Sequence, residues 1–300
     1  MIDLTNIDPD RPVLIYGPTA SGKSGLALQI AQTTGGEVIN ADALQCYQGW
    51  PILTAQPPAP DRAAAPHHLY GHLAYDAPYS VGDWLRDVTP FLDAHAKGGP
   101  RPIIVGGTGL YFTALTEGLA DIPPTPPDVR ARADKIPLPD LIAGLDGDTA
   151  TGLDLQNRAR VQRAWEVQTT TGRSIRDWQD ATPPPLLPLE ACTPLALSPD
   201  PDWLNTRIAQ RFDLMIEMGA LDEARAMRPQ WDPAAPSSKA IGAADMIAHV
   251  AGDLDGDSLK QAVIIATRQY AKRQRTWLRS RMKRWQHIAL PDVATNRLST

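Results

Sequence analysis

Short apolar runs alternate along this chain with stretches in which apolar residues recur at helical spacing. PVLIYG (12–17), GEVINAD (36–42), RPIIVGG (101–107) and ACTPLALSPD (191–200) have the composition of buried strands, and each borders an amphipathic helix pattern. In GLALQIAQTTG (25–35) the apolar positions trace one helical face, and Gly35 and Gly36 supply the stop signal. This alternation predicts a parallel sheet with helices on both faces.

Proline divides the pattern. The 29 prolines, about twice the usual fraction, cluster in AQPPAPD (55–61), DIPPTPPD (121–128) and ATPPPLLP (181–188). The first cluster reads as a long surface loop. The other two bracket helical patterns such as ARVQRAWEVQTTTG (159–172), with no clear strand between them. The predicted fold is α/β, a P-loop NTPase-like parallel sheet with helices on both faces and a helical insertion domain at 121–189. Residues 1–120 and 190–300 form the catalytic core, which ends in a basic helix.

GPTASGKS (17–24) satisfies the phosphate-loop pattern G-x-x-x-x-G-K-[ST], and it stands between a strand and a helix, as that motif requires. Its glycines let the backbone wrap an anion, its amides and the helix N-terminus point at that anion, Lys23 adds a charge, and the Ser24 hydroxyl sits near a magnesium ion. The loop residues Gly17, Pro18, Thr19, Ala20, Ser21, Gly22, Lys23 and Ser24 thus predict a bound phosphate or diphosphate. The motif does not say which one.

Composition narrows the class. A chain of 300 residues that is 43% hydrophobic supports one large core with an appended lobe, and no apolar run approaches the length of a membrane span. Cys46 and Cys192 form no metal or redox motif, as expected of a cytoplasmic protein. The net charge of -5 conceals a split: residues 1–200 carry 14 Lys and Arg against 23 Asp and Glu, and residues 201–300 carry 15 against 11. A cationic C-terminal part points to a polyanionic partner.

Three strand ends and one helix carry further chemistry. Asp42 closes the second strand, where a carboxylate serves as general base, holds a metal through water or caps a turn. The third strand ends in Gly106-Gly107-Thr108-Gly109 rather than in the aspartate of an ATPase metal site. ATRQYAKRQRTWLRSRMKR (266–284) places Arg268, Lys272, Arg275 and Arg279 at helical spacing with Tyr270, Trp277 and Trp285 interleaved or adjacent, a mixture suited to single-stranded nucleic acid. His67, His68 and His72 lack the partners of a zinc site.

GPTASGKS, ADALQCYQGWPILTAQP, PHHL with YSVGDW, GGTGLYFTALTEGL, PPDVRAR, RVQRAWEVQTTTGRS, RIAQRFDLMIEMGALDEA, KAIGAAD and ATRQYAKRQRTWLR follow one another in this order across nearly the whole chain. In these runs the chain resembles the bacterial tRNA dimethylallyltransferases. The resemblance implies transfer of a dimethylallyl group from dimethylallyl diphosphate to the N6 amine of the adenosine 3′ of the anticodon (position 37), in tRNAs reading codons that begin with U. The loop and Lys239 would hold the diphosphate, with Mg²⁺ at Ser24. Asp42 and Thr108 would be catalytic. Asp42, Ala43, Leu44, Gln45 and Thr108 would meet the RNA at the site. Arg130, Asn157, Arg158, Arg160 and Arg163 would meet it in the insertion, and Arg268, Lys272, Arg273, Arg275 and Trp277 on the C-terminal helix. The implied partners are tRNA and the diphosphate, without a membrane, and the expected state is a monomer. Gly242-Ala243-Ala244 stands where the family often carries Gly-Tyr and a basic residue. The loop alone leaves open an ATP-dependent small-molecule kinase, a prenyltransferase for free adenylate and an RNA-binding regulator without turnover.

Overall fold

A computed structural model describes residues 7–291; residues 1–6 and 292–300 of the expected core lie outside the described residues. The chain divides into two compact units, one built from 1–116 and 187–300, the other from Glu117–Leu186.

In chain order the first part of the larger unit is β1 (Val13–Tyr16), α1 (Lys23–Thr34), β2 (Glu37–Asn40), α2 (Ala59–Ala64), β3 (His67–His68), α3 (Val81–Ala96), β4 (Pro102–Gly106) and α4 (Gly109–Glu117). The smaller unit holds α5 (Pro127–Ala133), α6 (Leu138–Ala143), α7 (Gly147–Gly152), α8 (Arg158–Thr171) and α9 (Ile175–Asp180). The chain returns with β5 (Thr193–Pro199), α10 (Pro201–Glu217), α11 (Ala220–Met227), α12 (Ala243–Ala251), α13 (Gly256–Arg281) and β6 (Gln286–Leu290).

All six strands form one parallel sheet in the order β3-β2-β4-β1-β5-β6. Period-two alternation divides each central strand between two cores. Leu14, Tyr16, Ile39 and Ile104 pack under α3, α4 and the end of α13, where Trp84, Phe112, Leu278 and Trp285 are buried. Val13, Ile15, Val38 and Ile103 face α1 through Leu26 and Ile30. Two strands escape the sequence pattern: β3 has only two residues, and QHIAL of β6 is largely exposed on the sheet edge. The AQPPAPD segment is not loop throughout, since α2 begins inside it.

The aromatic residues of the basic C-terminal run face inward, against the expectation that they stack on nucleic acid. Trp285 is buried edge-on against Phe112, with ring centroids 5.4 Å apart. Trp277 packs partly buried on the same core, and a side chain at Gly109 would collide with its indole nitrogen at 2.2 Å. Burying an aromatic ring outweighs leaving it on a charged face, so the run turns Trp277 and Trp285 toward the core while Arg268, Lys272, Arg273 and Arg279 stay exposed.

In the smaller unit, several arginines expected to meet RNA are engaged within the unit. Arg130 pairs with the buried Glu166 at 3.0 Å, and Arg163 donates to the Thr125 hydroxyl at 2.6 Å. The Arg158 guanidinium donates to the carbonyls of Ala133 and Asp134 at 3.1 and 3.2 Å, and Asn157 caps α8 through the Arg160 amide. Arg160 is exposed.

No helix among the described residues is long and apolar enough to cross a membrane. Both cysteines are free and buried.

Candidate functional site

The phosphate loop leaves β1 at Tyr16 and enters α1 at Lys23, with two left-handed residues between them, Ala20 (φ 64) and Gly22 (φ 90). Gly22 takes that conformation without strain. Gly17 is required for space, because a side chain there would meet Ser21 Oγ at 2.7 Å. Not every loop amide is free to receive an anion. The Thr19 N–H donates to Gln274 Oε1 at 2.8 Å. The other end of that buried amide donates to the Gly107 carbonyl at 3.0 Å, so α13 clamps the loop to the end of β4.

Asp42 follows β2 in a turn fixed from both sides. Asn40 Oδ1 accepts from the Asp42 N–H at 2.9 Å, and Asn40 Nδ2 donates to the Asp42 carbonyl at 2.9 Å and to the Leu69 carbonyl at 3.0 Å. From β4 the Thr108 N–H donates to the Ala41 carbonyl at 3.2 Å, and Thr108 Oγ1 accepts from the Ala43 N–H at 2.9 Å. Thr108 therefore holds the carboxylate's backbone in place. The approach leaves no room at Gly106, where an added Cβ would lie 2.0 Å from the Ala41 carbonyl oxygen. Gly106→Ala is expected to destabilise the protein by about 3 kcal/mol and to abolish activity, read as a lowered melting temperature; an unchanged transition would show that the two strand ends separate freely.

Two cavities meet at this point. The inner one, about 80 Å³, is lined on its polar side by Thr19, Lys23, Asp42, Arg211, Thr267 and Tyr270, and elsewhere by apolar groups that include Leu53, Phe212 and Val263. The outer groove, about 480 Å³, runs past Gly22, Ser24 and Gly25 between α10 and the Pro51–Asp61 segment. Lys23, Gln45, Arg211 and Met215 line both. Arg211 is the cation that the sequence reading missed; its only signal was a basic residue on the inner face of RIAQRFDLMIEMG. Lys239, expected to bind diphosphate, is exposed and lines neither cavity.

Burial holds the Lys23 ammonium well below its ordinary range, at about 8; Asp42 opposes that shift and Arg211 adds to it. The Arg211 guanidinium is also lowered by burial, with Asp42 raising it and Arg207 lowering it. A carboxylate thus faces two desolvated cations, a balance that an incoming polyanion would complete. Arg207 braces the loop by donating to the Ala20 carbonyl at 2.9 Å.

Gln45, expected to meet the target base, is buried, and its side-chain N–H groups donate to the carbonyls of Thr54 at 2.8 Å and Ala55 at 2.9 Å. Its amide anchors the wall of the cavities instead. Glu223 secures the same segment from α11, accepting from the Ile52 and Leu53 amides at 2.7 and 3.0 Å. Ala43 and Leu44 are half-buried beside Asp42, and Leu44 also lines the inner cavity. On α13, Arg268, Lys272 and Arg273 are exposed, while Arg275 is half-buried.

Among the described residues, no group of three or more His, Cys, Asp or Glu side chains could hold a metal. A magnesium ion nevertheless fits the donor set. Mg²⁺ binds through substrate phosphates, waters and one or two protein oxygens, and the exposed Ser24 hydroxyl beside Lys23 offers such an oxygen.

A family model described as IPP transferase matches residues 45–281, and one described as isopentenyl transferase matches 11–59. The tRNA dimethylallyltransferase of Ruegeria sp. (strain TM1040) is 58% identical over 289 residues, 96% of this chain and 99% of its own. That of Jannaschia sp. (strain CCS1) is 57% identical over 294 residues, 97% of this chain and 100% of its own. The solved tRNA isopentenylpyrophosphate transferase of Bacillus halodurans is 30% identical with a TM-score of 0.68, over 96% of this chain and 93% of that one. A eukaryotic dimethylallyltransferase acting on tRNA shares the fold, with a TM-score of 0.80 at 24% identity over 96% of this chain and 77% of its own.

Proposed function

Because this chain belongs to the IPP transferase family, we propose that it moves a dimethylallyl group from dimethylallyl diphosphate to the N6 amine of adenosine 37 in cytoplasmic tRNAs that read codons beginning with U. The observation that carries this reading is the meeting of the two cavities: Asp42 opens only into the inner one, Ser24 only into the outer one, and Lys23 and Arg211 stand at the junction.

A diphosphate at the junction is held by Lys23, Arg211 and the loop amides not already bonded within the protein, as those of Gly17, Thr19 and Ser21 are. Its allylic carbon then lies on the Asp42 side. The adenine amine attacks that carbon as the carbon–oxygen bond breaks, and negative charge gathers on the departing diphosphate. Lys23 and Arg211 stabilise that charge more strongly than the ground state, because both are desolvated. Asp42 takes the proton that the amine loses. A magnesium ion here would have the Ser24 hydroxyl as its protein oxygen and would supply further neutralisation of negative charge.

An adenosine in an anticodon loop is already unpaired, which lowers the cost of bringing it to a sheet end. Arg268, Lys272 and Arg273 on the outer face of α13 suit phosphate contacts that position such a strand, and Arg160 suits the same role in the smaller unit. Diphosphate chemistry, and not kinase chemistry, is favoured by the end of β4, where Gly106, Gly107 and Thr108 buttress Asp42 and no carboxylate stands ready for a nucleotide-bound metal.

The test is incubation of the protein with Mg²⁺, labelled dimethylallyl diphosphate and either unmodified tRNA, AMP or no acceptor. Label in tRNA supports the reading. Label in AMP alone reassigns the acceptor to free nucleotide, and label in neither rejects prenyl transfer.

A further inference from the structure

Resting on the reading of the loop as a diphosphate site, we propose that the outer groove binds longer prenyl diphosphates, of ten carbons or more, head in the loop and tail along α10, as unproductive competitors of the five-carbon donor.

The groove is amphiphilic along its length. Its lining includes the loop residues Ala20, Gly22 and Ser24 with Lys23, Arg207 and Arg211, which suit an anionic head, and one carboxylate, Asp61. It also includes the apolar Pro51, Ile52, Leu214 and Met218. Arg207, Arg211 and Leu214 on α10 and Met218 at its C-cap succeed one another at spacings of three or four, so one face passes from cationic to apolar over about three turns. Leu214 and Met218 are 55% and 61% exposed. Prenyl transfer uses neither of them, and exposed large apolar side chains beside an anion site mark a surface for an apolar group attached to that anion.

Volume separates the two destinations for a tail. The inner cavity of about 80 Å³ beside Asp42 suits a five-carbon group, whereas the groove of about 480 Å³ has room for a longer one. A ten- or fifteen-carbon tail directed along the groove points away from Asp42. Its allylic carbon is then out of reach of the base, and no transfer follows. The protein would accordingly respond to the supply of the condensation products that consume its own donor.

Transfer to tRNA is measured with geranyl diphosphate, farnesyl diphosphate, inorganic diphosphate or geraniol as competitor, in the parent protein and in Leu214→Asp and Met218→Asp. Each methylene buried adds a factor of about three to four to affinity, so geranyl and farnesyl diphosphates are expected to compete with the donor at least about tenfold more tightly than inorganic diphosphate. Both substitutions are expected to weaken that inhibition by about tenfold while the donor KM and inhibition by inorganic diphosphate stay constant. Equal potency of inorganic diphosphate, inhibition unmoved by both substitutions, or geranyl groups appearing in tRNA would each overturn the proposal. Calorimetric titration of geranyl diphosphate without tRNA reads the same groove without turnover, which separates its failure from failure of the transfer reaction.

Discussion

Replacing Asp42 with Asn is expected to lower prenyl transfer to tRNA by about 10²- to 10⁴-fold, the loss typical of removing a general base. The fold survives, because the amide oxygen still accepts from the Leu44 N–H, a bond of 3.2 Å in the parent, and the backbone of the turn is held by Asn40 and Thr108. Calorimetry should show diphosphate bound as tightly as before or more so, since a carboxylate facing the anion has been neutralised. The Asp42 charge also raises the pKa values of Lys23 and Arg211. Without it Lys23 titrates at lower pH, so the alkaline limb of residual activity should shift downward. Full turnover in this variant would assign the proton to another group.

Lys23→Met should lose about 10²- to 10³-fold in activity yet unfold at a higher temperature than the parent. Lys23 is 8% exposed, and its folded pKa of about 8 lies below its ordinary value of 10.5. The folded state therefore disfavours the proton that the unfolded chain keeps. Below pH 8 both states are protonated and the penalty is complete, at about 3 kcal/mol by linkage. Between pH 8 and 10.5 the folded state releases its proton first, and the penalty fades as pH rises. The stabilisation by Met should thus be largest near pH 7 and vanish toward pH 10.5, a trend that thermal unfolding at several pH values would reveal. In the parent, kcat/KM for the diphosphate should fall as pH rises through about 8, because the free enzyme loses the charge that receives the anion. Equal stability of parent and variant at pH 7 would mean that water or a counterion already satisfies Lys23.

These expectations combine residues that differ greatly in how visible they are along the chain. The phosphate loop, the four main strands and the basic helix depend on near neighbours: fixed glycines, period-two and helical spacing, and charges one turn apart. All of these were legible in the sequence, as was Asp42 at a strand end. The family resemblance extended that reading to a reaction, through motifs whose order spans nearly the whole chain.

What each side chain faces is a different kind of information. Lys239 and Arg211 are both basic residues in matching runs, but only Arg211 turns into the cavities, because α10 packs its Leu204, Ile208 and Phe212 inward and carries Arg211 with them. Gln45 and Gln274 are polar residues in runs that resemble the family's, yet their amides satisfy backbone carbonyls and a loop N–H, since a buried amide must find partners. Trp277 and Trp285 sit within a cationic run and still belong to the core, because aromatic area is worth more buried than solvated. The short β3 and the exposed β6 carry too few apolar residues to mark themselves, and parallel neighbours supply the hydrogen bonds that make them strands. The sequence by itself determined the loop, the sheet and the place of Asp42 at a strand end, and through the family resemblance the reaction class. Only the tertiary structure decided which cations line the cavities and which polar groups are occupied in holding the site together, because those assignments depend on packing between elements far apart in the chain.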